Sequence, residues 1–170
     1  MTIQRALFAS LLFVALVAAA LAPASSARAL PTRKVLPLSL AVMAADAAVA
    51  ACAERGYWVS AAVVDGDGVL RALMRHDKAG PHTIDSSSKK AYTALTLRRP
   101  TQGFAAFIAD KPAIQGLRFM NDKILILGGG LPIEAGGAVI AGIGVGGAPG
   151  GDKDEACARA GIDRIKNDLE

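Results

Sequence analysis

Histidine and cysteine are scarce in this chain, two of each among 170 residues, and that scarcity removes several chemistries at once. His76 and His82 are too few for a multi-histidine zinc centre. No Gly-Lys-Ser or Gly-Lys-Thr triplet occurs, so there is no phosphate loop. No carboxylate pair stands out for glycoside hydrolysis, and no repeat or low-complexity linker divides the chain. A strong excess of basic charge is also missing. The formal balance is +4, and it falls to +2, 17 basic against 15 acidic residues, if Arg5 and Arg28 leave with an N-terminal leader. That argues against general nucleic-acid binding, which needs a strongly basic face.

Such a leader is expected. Arg5 precedes an uncharged apolar run over residues 6–22, and Ala27-Arg28-Ala29 places small residues where a signal peptidase reads them. The expectation is a secretory signal over residues 1–29, cleaved after Ala29, and a single domain over residues 30–170 in the periplasm or outside the cell. The alternative is one membrane anchor, because the run reaches the lower end of a spanning length of roughly 17 to 25 residues. No cysteine follows the run, which argues against a lipid anchor. Cys52 and Cys157 would then meet an oxidising compartment, where they are either bridged or serve as small buried hydrophobes.

Along the mature chain, residues 39–55 are alanine-rich and end at Gly56, which predicts a helix with a glycine cap. Residues 57–64 and 69–74 flank Asp65-Gly66-Asp67-Gly68 and predict a hairpin. Helices follow over residues 85–97 and 102–109, bounded by Gly80-Pro81, Pro100 and Pro112. Short apolar runs near residues 124–127, 131–134 and 138–145, with glycine-rich turns between them, predict further antiparallel strands. A last helix opens at Asp152 or Asp154 and runs through Ile165. The order does not alternate strand and helix, so the expected fold is α+β: one compact domain with a central antiparallel sheet of about five strands flanked by helices.

Three motifs invite a functional reading. Gly142 to Gly147 spells G-x-G-x-x-G, but a dinucleotide site needs a helix and a distant acidic residue after it, and only 23 residues remain. A glycine-rich strand end approached by another backbone fits better. Gly128-Gly129-Gly130 is either a bend or a wall of exposed amides lining a pocket, with Pro132 stiffening its edge. The segment from Gly80 to Thr101 concentrates His82 and four cations. Within it Ser86, Lys90, Thr93 and Leu97 share one helical face, either solvated or turned to a ligand, and Lys90 and Arg98 are the cations suited to a ligand carboxylate. Ser-His-Asp catalysis from Ser86 to Ser88, His82 and Asp85 lacks the separated elements that such a triad needs. A single imidazole is enough for haem, with His82 as the first candidate ligand and Met74 and Tyr92 as further axial candidates.

Three stretches together carry a family resemblance: Ala62-Val63-Val64-Asp65 with Gly66, Gly68 and Val69; Lys89-Lys90-Ala91-Tyr92-Thr93-Ala94 with Arg99-Pro100-Thr101; and the tail holding Gly-Gly-Gly-Leu-Pro-Ile and Asp-Glu-Ala-Cys-Ala. On these the chain resembles the GlcG/HbpS-like family, related to the PduO C-terminal domain. The resemblance implies a flanked antiparallel sheet, assembly into homo-oligomers and, in exported members, haem binding. It implies an exported small-ligand-binding protein that stores, senses or scavenges haem. His82 would meet the iron, Lys90 and Arg98 the propionates, with Thr93 on the same helix and Gly128, Gly129, Gly130 and Pro132 lining the slot. Haem ligation varies within the family, so no axial residue carries over automatically. The rival is an enzyme acting on a small carboxylate metabolite, with Lys90 as anion-binding or acid-base group and His82 as proton carrier.

Overall fold

Nothing between Pro37 and Glu54 opposes a helix, and the computed structural model, which describes residues 29–169, forms α1 there, Leu38–Ala53. Its end is set by Gly56 at φ 77°, which lets the Tyr57 N–H reach back to the Cys52 carbonyl at 2.9 Å. The expected leader, residues 1–29, lies almost wholly outside the described residues.

The hairpin follows as β1, Ser60–Asp65, and β2, Leu70–Arg75. Its turn is built locally: the Asp65 carboxylate accepts from the Asp67 and Val69 N–H groups at 3.0 Å each, and Gly68 takes φ 76°. Next come α2, His82–Leu97, and α3, Thr101–Ala109, separated by Arg98 in the left-handed conformation at φ 52° and by Pro100. A 3-10 segment, Pro112–Phe119, was not expected from the sequence. The chain closes with β3, Gly130–Ala135, β4, Ala138–Gly146, and α4, Gly151–Ile165.

The fold is α+β, with one antiparallel sheet in the order β2-β1-β4-β3. It has four strands, not the expected five. Residues 124–127 form no strand, and other groups take the bonds a ladder would use. The Leu125 N–H donates to Thr93 Oγ1 at 2.8 Å, and the Leu127 carbonyl accepts from Thr101 Oγ1 at 2.7 Å. Ile124 and Ile126 are buried against Phe104 and Ile108 of α3. A run that reads as a strand from its apolar residues is thus pinned by two threonines beneath a separate small core.

Helices cover both faces of the sheet. On one face α1 and α4 pack over Ala61, Val63, Ile143 and Val145, and small residues bring them close. A Cβ placed on Gly161 would lie 2.5 Å from the Ala44 carbonyl oxygen. Cys52 and Cys157 join these helices in a disulfide, with Cα atoms 5.5 Å apart and both residues fully buried. Of the two alternatives for the cysteines, the structure has the bridge.

The other face belongs to α2, and here the glycines of the G-x-G-x-x-G stretch acquire a reason. Gly142, Gly144 and Gly146 alternate along β4, so all three point to one face. A Cβ on them would stand 2.3 Å from the Ala91 carbonyl oxygen, 2.2 Å from that of Ser87 and 2.4 Å from Ser86 Oγ. The helix therefore lies directly on the strand backbone, the close approach that a dinucleotide motif would not explain.

Candidate functional site

The face of α2 that looked like a ligand-meeting stripe is the one turned into the protein. Lys90 is 2% exposed, and its ammonium donates to the Val145 carbonyl at 2.9 Å and to Asp154 Oδ2 at 2.7 Å. The other Asp154 oxygen accepts from the Ala148 N–H at 2.9 Å. Lys90 thus ties α2 to the end of β4 and the first turn of α4. Burial pushes the Asp154 carboxyl above its ordinary value, because desolvation outweighs what the Lys90 charge and the two hydrogen bonds return. Thr93 is fully buried, donating to the Lys89 carbonyl at 2.8 Å while it accepts from Leu125.

Of the two readings of the triple-glycine stretch, a bend or a wall of exposed amides, the structure has the closed bend. Gly129 takes φ 117°, and a Cβ there would meet Asp154 Cβ and the Val145 carbonyl oxygen at 2.6 Å and Lys90 Nζ at 3.0 Å. On Gly130 it would fall 2.3 Å from the Lys90 carbonyl oxygen, and on Gly128 1.7 Å from Gln102 Oε1. The structure does bring Lys90 and Gly128 to Gly130 together, but as packing, with no space for a flat ligand. Pro132 lies elsewhere, half-buried on β3 beside a surface cavity of about 590 Å³ shared with Glu134, Arg159 and Lys166.

His82 is exposed at the first position of α2, its ring folded against Gly80. Eight residues separate it from Lys90, about 12 Å along the helix axis, so the two do not meet as an acid-base pair. Arg98 is exposed at the other end of α2, in a small cavity with Asp67, Thr96 and Tyr92. Beside it Arg33 pairs with Asp67, and the guanidinium holds that carboxyl below its ordinary range. Met74 pairs with Ala61 across the hairpin, and Ala61 belongs to the core under α1, so Met74 faces away from α2.

The arrangement that can hold a ligand lies one helical stripe over. His82, Asp85, Lys89, Tyr92 and Thr96 follow the spacing i, i+3, i+7, i+10, i+14. Between Asp85 and Tyr92 this stripe forms one wall of a cleft of about 310 Å³, whose other wall is Val64, Gly68, Val69 and Leu70 of the hairpin. Ser88 adds a hydroxyl, and Lys123 closes the rim with its ammonium 5.5 Å from the centre of the Tyr92 ring. Lys89 is held 3.1 Å from Asp85. Gly68 is required here twice over, for its positive φ and because a Cβ would lie 2.7 Å from the Tyr92 ring.

The hairpin wall is apolar, the helix wall sets the Tyr92 ring among the polar Asp85, Ser88 and Lys89, and Lys89 and Lys123 bring cations to the mouth, which suits a largely apolar ligand carrying negative charge at one edge. Sequence reasoning weighed Tyr92 only as one axial candidate and missed Lys89 and Lys123. The helical spacing from His82 to Tyr92 was a usable signal for Lys89. Nothing local marks Lys123, which arrives from a distant loop.

The family described as haem degrading protein HbpS-like matches residues 36–163. A variant of Streptomyces reticuli HbpS is 43% identical, with a TM-score of 0.74 over 84% of this chain and 96% of that one. Escherichia coli K12 GlcG is 35% identical over 95 residues, 55% of this chain and 68% of that protein. A complex of PduOC with haem shares the fold at 24% identity, with a TM-score of 0.71 over 76% of this chain and 94% of that one. The family match runs from just before α1 nearly to the end of α4 and so takes in the sheet, the α2 stripe and the cleft: the chain belongs to the HbpS-like family, with GlcG among its relatives.

Proposed function

We propose that this protein is an exported haem-binding protein and that the porphyrin enters the cleft between the β1–β2 hairpin and α2. The observation that carries this is the cleft itself: Val64, Val69, Leu70 and Tyr92 offer apolar walls, and Lys89 and Lys123 place ammonium groups at the rim where carboxylates would lie. A porphyrin is a flat apolar disc with two propionates on one edge, so walls and rim answer its two chemistries separately. Membership of the HbpS-like family and the shared fold of a haem complex support the same ligand.

When bound, haem supplies its iron as a Lewis-acid and redox centre. The protein's own residues bind and orient it: the apolar walls exclude water from the ring faces, and Lys89, steadied by Asp85, and Lys123 set which edge points outward. On this reading Lys89 and Lys123 take the role expected of Lys90 and Arg98: the Lys90 ammonium is sealed beneath the helix, and Arg98 lines a separate small cavity.

Export is supported by the leader pattern and by the buried Cys52–Cys157 bridge, which suits an oxidising compartment. Among the described residues no helix is long and apolar enough to cross a membrane. Assembly into a homo-oligomer is supported by large apolar side chains left exposed around α3 and the 3-10 segment, with Phe119 84% and Met120 56% exposed.

Titration of the purified protein lacking residues 1–29 with haemin tests the proposal. A shifted, saturable Soret band is expected, weakened when Lys89 and Lys123 are both changed to Glu. A flat titration, or one indifferent to that double change, would remove haem from this cleft.

A further inference from the structure

The geometry points to Tyr92 as the iron ligand of the cleft, its phenol oxygen taking the axial position for which His82 is the sequence's first candidate. This rests on the proposed haem site and goes beyond it by naming the atom that meets the metal.

The assignment follows from where the other imidazole, thioether, thiol and phenol donors lie. His76 is stacked on Trp58 with ring centres 4.4 Å apart, and its Nδ1 accepts from the Lys78 N–H at 3.1 Å. His82 folds onto Gly80, ten residues before Tyr92 and about 15 Å away along the helix axis. Met74 is on the opposite face of the sheet, and both cysteines are spent in the disulfide. The second tyrosine, Tyr57, packs against the core under α1. Of these donors only Tyr92 lines the cleft.

Its setting also suits a ligand. The ring lies against the Cα of Gly68, which fixes its plane, and it forms part of both the main cleft and the smaller cavity of Arg98. Lys123 above the ring and Lys89 one turn earlier, the latter paired with Asp85, place cations near the ring. On ligation the oxygen gives a lone pair to ferric iron and the phenolic proton leaves to water. No electron moves. Tyrosine is an established haem donor in other folds.

The test uses haemin with the protein lacking residues 1–29, its Tyr92→Phe and His82→Ala variants, and protein carrying ring-deuterated tyrosine. The chain holds two tyrosines, so a tyrosine-labelled signal on the iron selects between Tyr92 and a residue on the opposite face. The ferric complex should show a phenolate-to-iron charge-transfer band and resonance-Raman modes that shift with the label. Both should vanish in Tyr92→Phe and persist in His82→Ala. A Soret band without label-sensitive modes, or one whose axial signature depends on His82, overturns the tyrosine assignment and leaves the haem site standing. Absence of any shifted, saturable Soret band overturns both. The labelled wild-type measurement stands even if Tyr92→Phe folds poorly.

Discussion

A lysine and an aspartate buried side by side hold each other in place, yet neither is stabilising by itself. Removing one partner of such a pair leaves an uncompensated charge and costs about 3–5 kcal/mol, whereas replacing both with apolar groups is often close to neutral. Lys90→Met and Asp154→Leu should therefore each lower stability strongly, and the double variant should recover most of the loss in urea unfolding. If the double variant loses the sum of the singles, the pair is not coupled. The pH response has a definite sign. The Asp154 carboxyl lies above its ordinary value of 3.8 in the folded protein, chiefly through desolvation, so between that value and the raised one the native state holds more protons than the unfolded chain. Its contribution to stability is then most favourable below 3.8 and declines as pH rises through the folded value. Carbon-13 NMR of the Asp154 carboxyl should give a midpoint above 3.8, and a midpoint at or below it would refute the balance described.

Elements here are positioned by what they lack. The alternating glycines of β4 let α2 seat its Ser87 and Ala91 backbone against the strand, and this sets the height at which Lys90 reaches Asp154. Gly144→Ala would drive a methyl group to 2.2 Å from the Ser87 carbonyl oxygen, where neither backbone can yield cheaply. A loss at or above the upper end of the usual overpacking range, about 1–3 kcal/mol, is expected in thermal unfolding. Gly103→Ala on α3, where a Cβ meets nothing within 4 Å, should be neutral or slightly stabilising. Equal responses at the two sites would contradict the packing described. The same scale shows why the extra strand was expected. Residues 124–127 have a strand's apolar content, but Thr93 and Thr101 take up the hydrogen bonds a neighbouring strand would have used.

For the whole molecule, the Cys52–Cys157 bridge closes a separation of 105 residues between two helices on one face of the sheet. A loop of that size restricts the unfolded chain strongly, and loss of such a bridge costs about 2–5 kcal/mol. The Cys52→Ala, Cys157→Ala double variant should unfold at markedly lower urea concentration, and reduced wild type should match it. An unchanged midpoint would show that the bridge adds nothing. Both sulfurs are fully buried, so reduction should be slow until the protein opens. The proposed haem cleft lies on the other side of the sheet, so haemin affinity should be preserved in this variant under conditions where it stays folded.

Local chemistry in the sequence was enough to place the four helices, the hairpin turn at Asp65 and Gly68, the family resemblance and the block around α2 as the region of interest. Those features depend on propensity, caps and motif order, which neighbouring residues decide. Which side of α2 lines the cleft was settled only by tertiary packing. Lys90 and Lys89 are adjacent and chemically alike, yet Gly142, Gly144 and Gly146 pull one face onto the sheet, so Lys90 is sealed against Asp154 while Lys89 reaches the cleft rim. Lys123, brought to that rim from 34 positions further along the chain, and the disulfide, joining its two ends, depend on long-range proximity, and that is created only by burying the sheet between its helices.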